Sequence, residues 1–486
     1  MAITLEQSPT ATVPQAAYAP IVYMVSSNIA ATANKFRFVC DITIDGSRRA
    51  RLKVLPNSNN VGVFRVDGVV RQYLEITKED GNNAGESIWT LGANNTAQLM
   101  TKSNGLNYQT VKIEFGEESA ASATADPTVT MNATDYFLRV LPAARGYIGA
   151  FNRQWDQGGS YNAITGDKDF LNNFLPTSAG KRLLTTLPAL SNSAFISNAG
   201  AIEQEVTYAD YRSYGIILDA DTDVASSNLY VTIQSFGTDD TILSASYLIS
   251  LLGGTQPSSA TTDDKHLQYI GIGPANFLAS TILPTTHFTN RTIDFYEVYF
   301  STVASPTNAG QLKTLPMRFK VVDADCMYGM EGTGLMMENA RANKITLAWQ
   351  NTVGGYDYFS FNKRHDRTTK VTDRKTFTML AGNYDSASAS VDFEQLPWEG
   401  GKTTTKIGAR REIRANTDIF DEELVDYLEG LILSPRVYLL TYDKVNGGVP
   451  VVITDSSFLH KTNVNERGCY TVSVTFEFAR EIETTA

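Results

Sequence analysis

A strict alternation of apolar and polar residues recurs along this chain and limits what it can fold into. The clearest case is Tyr470–Phe478, which keeps a period of two over its whole length. Successive side chains of a strand point to opposite faces, so this pattern buries one face of a strand but would scatter apolar residues around a helix. Val111–Phe115 alternates in the same way. Phe36–Ile44 alternates up to an Asp45-Gly46 pair, which predicts a β-hairpin into Ala50–Val54.

These strands are separated by turns rich in Gly, Asn, Asp and Ser, and they predict a mainly β protein. We expect two to three β-sandwich-type domains with few short helices, because 486 residues are enough for several domains. Three stretches have the composition of loops and mark boundaries or long hairpin tips: 117–134, 253–264 and 303–310. The expected domains are an N-terminal β domain over 1–203, a middle β domain over 204–317 and a C-terminal β domain over 318–486.

The C-terminal domain is expected to contain one amphipathic helix near 419–433. Its apolar residues recur at helical spacing and fall on one face: Leu424, Val425, Leu428, Leu431 and Ile432. Asp418 is a suitable N-cap, and Ser434-Pro435 ends the helix.

The charge balance argues against several classes of function. The chain has 41 Lys and Arg residues against 52 Asp and Glu residues, a net charge of −11. A protein that coats nucleic acid needs a net basic surface, so we expect no specific nucleic-acid binding. No run of apolar residues is long enough to cross a bilayer, and the first residues lack the features of a secretory signal. We therefore expect no membrane segment.

No motif indicates catalysis or a bound cofactor. Cys40, Cys326 and Cys469 are odd in number and far apart, which does not fit a disulfide framework or a zinc site. Gly401-Lys402-Thr403 has the end of a phosphate-binding loop, but Leu396 stands where that loop needs a glycine. The four histidines lack metal-ligand spacing. The sequence predicts a protein that is not an enzyme, with no catalytic, cofactor-binding or metal-binding residues.

Two clusters of basic residues stand out in this acidic chain, at 363–375 and 402–414. Such clusters are candidates for contact with another subunit. Tyr356 and Tyr358 alternate in a predicted strand after Gly354-Gly355, where one face is expected to be buried and the other to meet a neighbour. The candidate interface residues are Lys363, Arg364, Arg367, Lys370, Arg410, Arg411, Arg414, Tyr356 and Tyr358.

Several segments together form a recognisable pattern. Its most specific part combines Trp349, Asn351, Gly354-Gly355 and Tyr356-Asp357 within Leu347–Phe361. The other segments are Phe36–Tyr73, Val322–Tyr328, Leu433–Leu439, Pro450–Phe458 and the final strand. With this pattern the chain resembles virion proteins from tailed phages of Bacteroidota, including crAss-like phages and related prophages. The resemblance implies a structural protein of the tail or of the machinery next to it, built from β-sandwich domains.

We therefore expect a non-enzymatic virion component, a ring- or hub-forming tail, neck or baseplate protein. Its partners would be copies of itself in a cyclic homo-oligomer and other tail, portal-proximal or baseplate proteins. It would reside in the virion tail after assembly in the host bacterial cytoplasm. One alternative is a carbohydrate-binding adhesin or receptor-binding protein whose Trp155 and Trp398 stack on sugar rings. A third hypothesis is a glycan-degrading tail enzyme that uses a pair of carboxylates.

Overall fold

The computed structural model of the chain is mainly β, which confirms the predicted fold class. It describes residues 3–9, 15–18, 20–74, 88–90, 100–102, 109–141, 185, 203–208, 210–217, 230–238, 241–243, 247–250, 267–279, 290, 292–301, 317–322, 344–352, 354–379, 401–419, 422–440, 448–455, 470–480 and 482–485. Within these residues the helices are few and short, as expected.

The strands of the N-terminal part are β1 Ile3–Gln7, β2 Gln15–Ala16, β3 Val22–Ser27, β4 Asn34–Ile44, β5 Ser47–Val54, β6 Val61–Arg65, β7 Met100–Lys102, β8 Gln109–Ala120 and β9 Thr128–Leu141. Those of the middle part are β10 Glu203–Val206, β11 Ser213–Ile217, β12 Tyr230–Phe236, β13 Tyr247–Ser250, β14 Leu267–Gly271, β15 Phe295–Ser301 and β16 Met317–Val321. Those of the C-terminal part are β17 Ile345–Gln350, β18 Tyr356–Phe361, β19 Asp366–Met379, β20 Gly401–Ile419, β21 Val437–Leu439, β22 Val449–Ile453, β23 Tyr470–Phe478 and β24 Ile482–Thr485. The α-helices are α1 Asp67–Val70, α2 Pro274–Ala279 and α3 Glu422–Ile432, and 3-10 helices lie at Arg71–Tyr73 and Ile88–Thr90.

Two N-terminal sheets pack face to face as a β-sandwich. One has the order β2-β9-β8-β4-β5 and the other the order β1-β3-β6. Tyr23 and Phe64 of the smaller sheet lie 5.4 and 5.7 Å from the Phe115 ring of the larger one, centroid to centroid. The sheets come so close at Gly62 that a Cβ there would lie 2.5 Å from the Phe38 ring.

The predicted hairpin is present as β4–β5. Ile44 pairs with Ser47, so Asp45 and Gly46 form a two-residue turn. Both have positive φ, 52° and 68°, as the favoured hairpin turn requires. Of the two expectations for 117–134, the hairpin tip is confirmed: β8 continues to Ala120, β9 begins at Thr128, and the two strands pair. The loop is shorter than expected, because Glu117 and Glu118 belong to β8 and are buried, and Lys53 binds Glu118 at 2.8 Å.

The middle and C-terminal parts share one hydrophobic core. It contains residues of the sheets β10-β16-β15-β12-β13 and β11-β14-β7 and of the C-terminal sheet β18-β17-β21-β22-β23-β20-β19, whose β20 also pairs with β24. The core therefore crosses the expected boundary at 317/318, and β7 joins a sheet with β14 of the middle part. The domain limits stay a prediction.

Helix α3 lies within the segment predicted to be helical. Its apolar residues Leu424, Leu428 and Leu431 are buried in the shared core, and Tyr427 packs on Trp349 with a centroid distance of 5.1 Å. The helix thus covers one face of the C-terminal sheet. Among the described residues, no helix is long and apolar enough to cross a membrane.

Candidate subunit interface

The C-terminal sheet ends in a long ribbon formed by β19 and β20, and β23 and β24 pair with part of the other edge of β20. Residues 366–379 of β19 pair antiparallel with residues 401–414 of β20, from Asp366–Arg414 at the base to Met379–Gly401 at the far end. We call these two segments the basic ribbon. Residues 366–378 are all exposed, on both faces of the strand. On β20, by contrast, Gly408 and Ile413 are buried, and residues 406–409 and 412–414 pair with β24 and β23. Among the described residues of β20, only 401–405 extend beyond this support.

The local sequence explains why β19 is a strand without a buried face. β19 is rich in Thr, which favours strands, yet Val371 and Phe377 are its only large apolar residues before Met379. Two β-bulges interrupt the pairing, because the register skips Thr372 on β19 and Thr405 on β20. The Thr405 hydroxyl donates a hydrogen bond to the Lys375 carbonyl at 3.2 Å.

The basic ribbon has a charge opposite to that of the remaining chain. It contains nine Lys and Arg residues against three Asp and Glu residues, a net charge of +6. Since the whole chain carries −11, the other residues together carry −17. An exposed cationic ribbon on an acidic chain is suited to meeting an acidic surface.

The structure places seven of the predicted interface residues on the ribbon or at its base. Lys363 forms an ion pair with Asp418 at 3.0 Å, and Arg364 is exposed just before β19. Within the ribbon, Arg367 donates to His365 Nε2 at 3.1 Å, and Lys370 forms an ion pair with Glu412. On β20, Arg410 pairs with Glu477 at 2.7 Å, Arg414 donates to Ser473 Oγ at 3.3 Å, and Arg411 is exposed.

Tyr356 and Tyr358 do not belong to this surface, and their assignment to an interface is corrected. Both are fully buried because β18 is covered on its two faces. Tyr356 packs on Trp89 at 5.3 Å and Tyr358 on Tyr214 at 5.2 Å, centroid to centroid. The prediction that β18 buries one face and presents the other to a neighbouring subunit is therefore wrong.

The face of β18 that carries Tyr358 meets a buried polar cluster around Arg212. The Arg212 guanidinium donates to Gln204 Oε1 at 2.8 Å and to Ser360 Oγ at 3.0 Å. Nearby, the Lys344 ammonium contacts the Asp210 carboxylate at 2.6 Å. The bond to Ser360 and the Lys344–Asp210 ion pair join the middle part of the chain to β18 and to the residue before β17.

Burial and charge act in opposite directions on the pKa values of this cluster. Burial alone would raise the pKa of Asp210, but the Lys344 ammonium and the Arg212 guanidinium outweigh it and hold that pKa below its usual range. Burial lowers the pKa of Lys344, and the Asp210 carboxylate only partly offsets the change. Asp210 is thus a carboxylate at neutral pH, as expected of a structural ion pair.

Sequence reasoning did not single out Arg212, because its partner Ser360 lies 148 residues away. It also left Arg374 and Lys402 out of the candidate interface residues, although both lie on the ribbon. The signal for Arg374 was that residues 366–376 have no face of alternating apolar residues, which indicates a strand exposed on both sides.

Trp155 and Trp398, the residues of the carbohydrate-binding alternative, lie outside the described residues. Trp89 and Trp349 are buried and form no exposed stacking surface. In the part of the chain that the structure describes, no group of three or more His, Cys, Asp or Glu residues is placed to hold a metal ion.

No protein-family model matches the chain, and no curated protein matches it in sequence.

Proposed function

We propose that the chain is a non-enzymatic structural component of a tailed-phage virion, a ring- or hub-forming tail, neck or baseplate protein. The basic ribbon carries this proposal. β19 is exposed on both faces over residues 366–378, so it buries little apolar area to offset the entropy of ordering it. A ribbon of this length is best explained by a surface that it contacts after assembly.

The arrangement also fits a closed ring of identical subunits. A ring needs two different complementary surfaces on each subunit, so that each copy contacts the next head to tail. The ribbon, with a net charge of +6, and the remaining chain, with −17, provide such a difference. Complementary charges of this kind speed association and fix its register. In this proposal the protein assembles in the host cytoplasm and remains in the tail of the virion.

The test combines light scattering of the purified full chain, negative-stain microscopy and quantitative mass spectrometry of purified virions. The proposal predicts closed oligomers of uniform mass and a fixed copy number per virion. A chain that stays monomeric at every concentration and is absent from virions would contradict it. A monomer that binds defined glycans would instead support the adhesin alternative.

A further inference from the structure

The two faces of the basic ribbon differ in charge. Because residues directly opposite in an antiparallel pair share a face, the register assigns each side chain. The body-side face continues from the buried Ile413 and Ala415. Its charged residues are all cationic: Arg367, Arg374, Lys402 and Arg411. The opposite face mixes both signs: Asp366, Lys370, Asp373, Lys375, Lys406, Arg410, Glu412 and Arg414.

Cations of the opposite face are partly neutralised within the chain. Lys370 forms an ion pair with Glu412, and Arg410 pairs with Glu477 at 2.7 Å. On the body-side face, by contrast, Arg374, Lys402 and Arg411 form no ion pair with any described residue. Their charges are therefore available to another molecule.

The body-side face also has an apolar centre. Val371 is 54% exposed there, and it lies opposite Ala409 with Ile407 as the next residue of β20 on this face. An apolar centre bordered by arginine is the usual composition of a protein–protein contact. Arginine in particular can bind a carboxylate through two parallel hydrogen bonds.

We infer that the body-side face of the basic ribbon binds an acidic surface on a second copy of this chain. The inference rests on the proposed function and names the partner of the ribbon. Charge complementarity selects the occupant, since the residues outside the ribbon carry −17. Nucleic acid fits less well because the same −17 repels a polyanion and because acidic residues lie on the opposite face of the ribbon.

The experiment compares assembly of full-length variants by light scattering over a range of protein and salt concentrations. Arg374→Gln/Arg411→Gln removes two body-side cations and is expected to weaken assembly by ~10-fold or more. Arg48→Gln/Arg65→Gln removes two exposed cations of the N-terminal sandwich and is the matched control, with assembly as in the wild type. Lys370→Gln/Arg410→Gln makes the same change in net charge on the opposite face and is expected to weaken assembly less than the body-side variant. Urea unfolding verifies that all variants fold.

Four outcomes would overturn the inference. Unchanged assembly of Arg374→Gln/Arg411→Gln would show that the ring uses another surface, and the proposed function would stand. Equal weakening by the variants of the two ribbon faces would show that total charge matters and not this face. Loss of duplex-DNA binding in the body-side variant, with assembly unchanged, would assign the face to a polyanion. A monomeric wild type would overturn the inference and contradict the proposed function together.

Discussion

Tyr427 of α3 completes the hydrogen bonding of Tyr358 in β18. The Tyr427 hydroxyl accepts a bond from the Tyr358 backbone N–H at 3.0 Å and donates one to the Tyr358 carbonyl at 3.1 Å. β18 is the outermost strand on its side of the described sheet, so one of its edges has no neighbouring strand. A helix side chain thus takes the place that a further strand would occupy, and the edge can be buried.

Tyr427→Phe removes this hydroxyl, so the buried Tyr358 N–H loses its acceptor, whereas the Tyr358 carbonyl keeps the hydrogen bond that Gln204 Nε2 donates to it. We expect the free energy of unfolding to fall by about 1–3 kcal/mol, the penalty for buried polar groups that lose a hydrogen bond. Urea unfolding followed by fluorescence measures it. Tyr18→Phe is the control, since Tyr18 is exposed and its loss of a hydroxyl is expected to be neutral. Equal stability of the two variants would contradict the assignment.

Gly62→Ala tests the close approach of the two N-terminal sheets. The added methyl group would lie 2.5 Å from the Phe38 ring, so the sheets must separate or Phe38 must move. We expect this overpacking to lower the free energy of unfolding by about 1–3 kcal/mol. Gly68→Ala is the matched control, because a Cβ there meets no atom within 4 Å and the position lies in α1. The control is expected to be neutral or slightly stabilising, as measured by thermal unfolding.

Asp210→Asn tests the buried ion pair with Lys344. At neutral pH we expect the free energy of unfolding to fall by about 3–5 kcal/mol, because the Lys344 ammonium remains buried without the carboxylate that it contacts. The pKa of Asp210 is lower in the folded state than in the unfolded state, where it is about 3.9. The carboxylate therefore stabilises the fold above the unfolded-state pKa. This stabilisation is lost as pH falls through the folded-state pKa. The difference in unfolding free energy between the wild type and Asp210→Asn should therefore become smaller below pH ~4.

Urea unfolding at a series of pH values from neutral to acid provides this measurement. The control is Lys363→Gln, which breaks the more exposed pair with Asp418 and is expected to cost less than ~1 kcal/mol. If the difference in unfolding free energy between the wild type and Asp210→Asn stays constant with pH, the carboxylate charge does not stabilise the fold.

Two substitutions to threonine separate folding from assembly along the ribbon. Ile413→Thr at the buried base is expected to cost about 2–5 kcal/mol of unfolding free energy, through lost packing and a buried hydroxyl. Val371→Thr on the exposed part is expected to change stability by less than ~0.5 kcal/mol. If the body-side face binds another copy, only Val371→Thr weakens assembly while leaving the urea midpoint unchanged. Assembly that is insensitive to this variant would remove Val371 from the contact.

Much of the local structure was predictable because it depends on neighbours in sequence. Alternation identified β8 and β23, the Asp45-Gly46 pair fixed the first hairpin, and helical spacing identified α3. The pairing of β7 with β14 was not predictable, because it joins segments more than 160 residues apart whose sequences say nothing about each other.

The same limit explains the error at Tyr356 and Tyr358. Alternation distinguishes a buried face from a solvated one only when polar side chains face water. In β18 the polar residues are buried as well, since Thr185 donates to Asp357 and Arg212 donates to Ser360. The partners come from distant parts of the chain, so the pattern could not reveal that both faces are covered.

The bulges at Thr372 and Thr405 have a consequence for the behaviour of the free subunit. β19 is the outermost strand of the described sheet, so its outer row of backbone groups is a template on which other chains can add strands. A long, regular strand edge of this kind can start the growth of fibres, in which strands of many chains stack on one another. Each bulge changes the local twist and interrupts the regular spacing of the row, and the net charge of +6 on each ribbon repels a second ribbon. The ribbon can therefore stay exposed at high concentration without aggregating edge to edge.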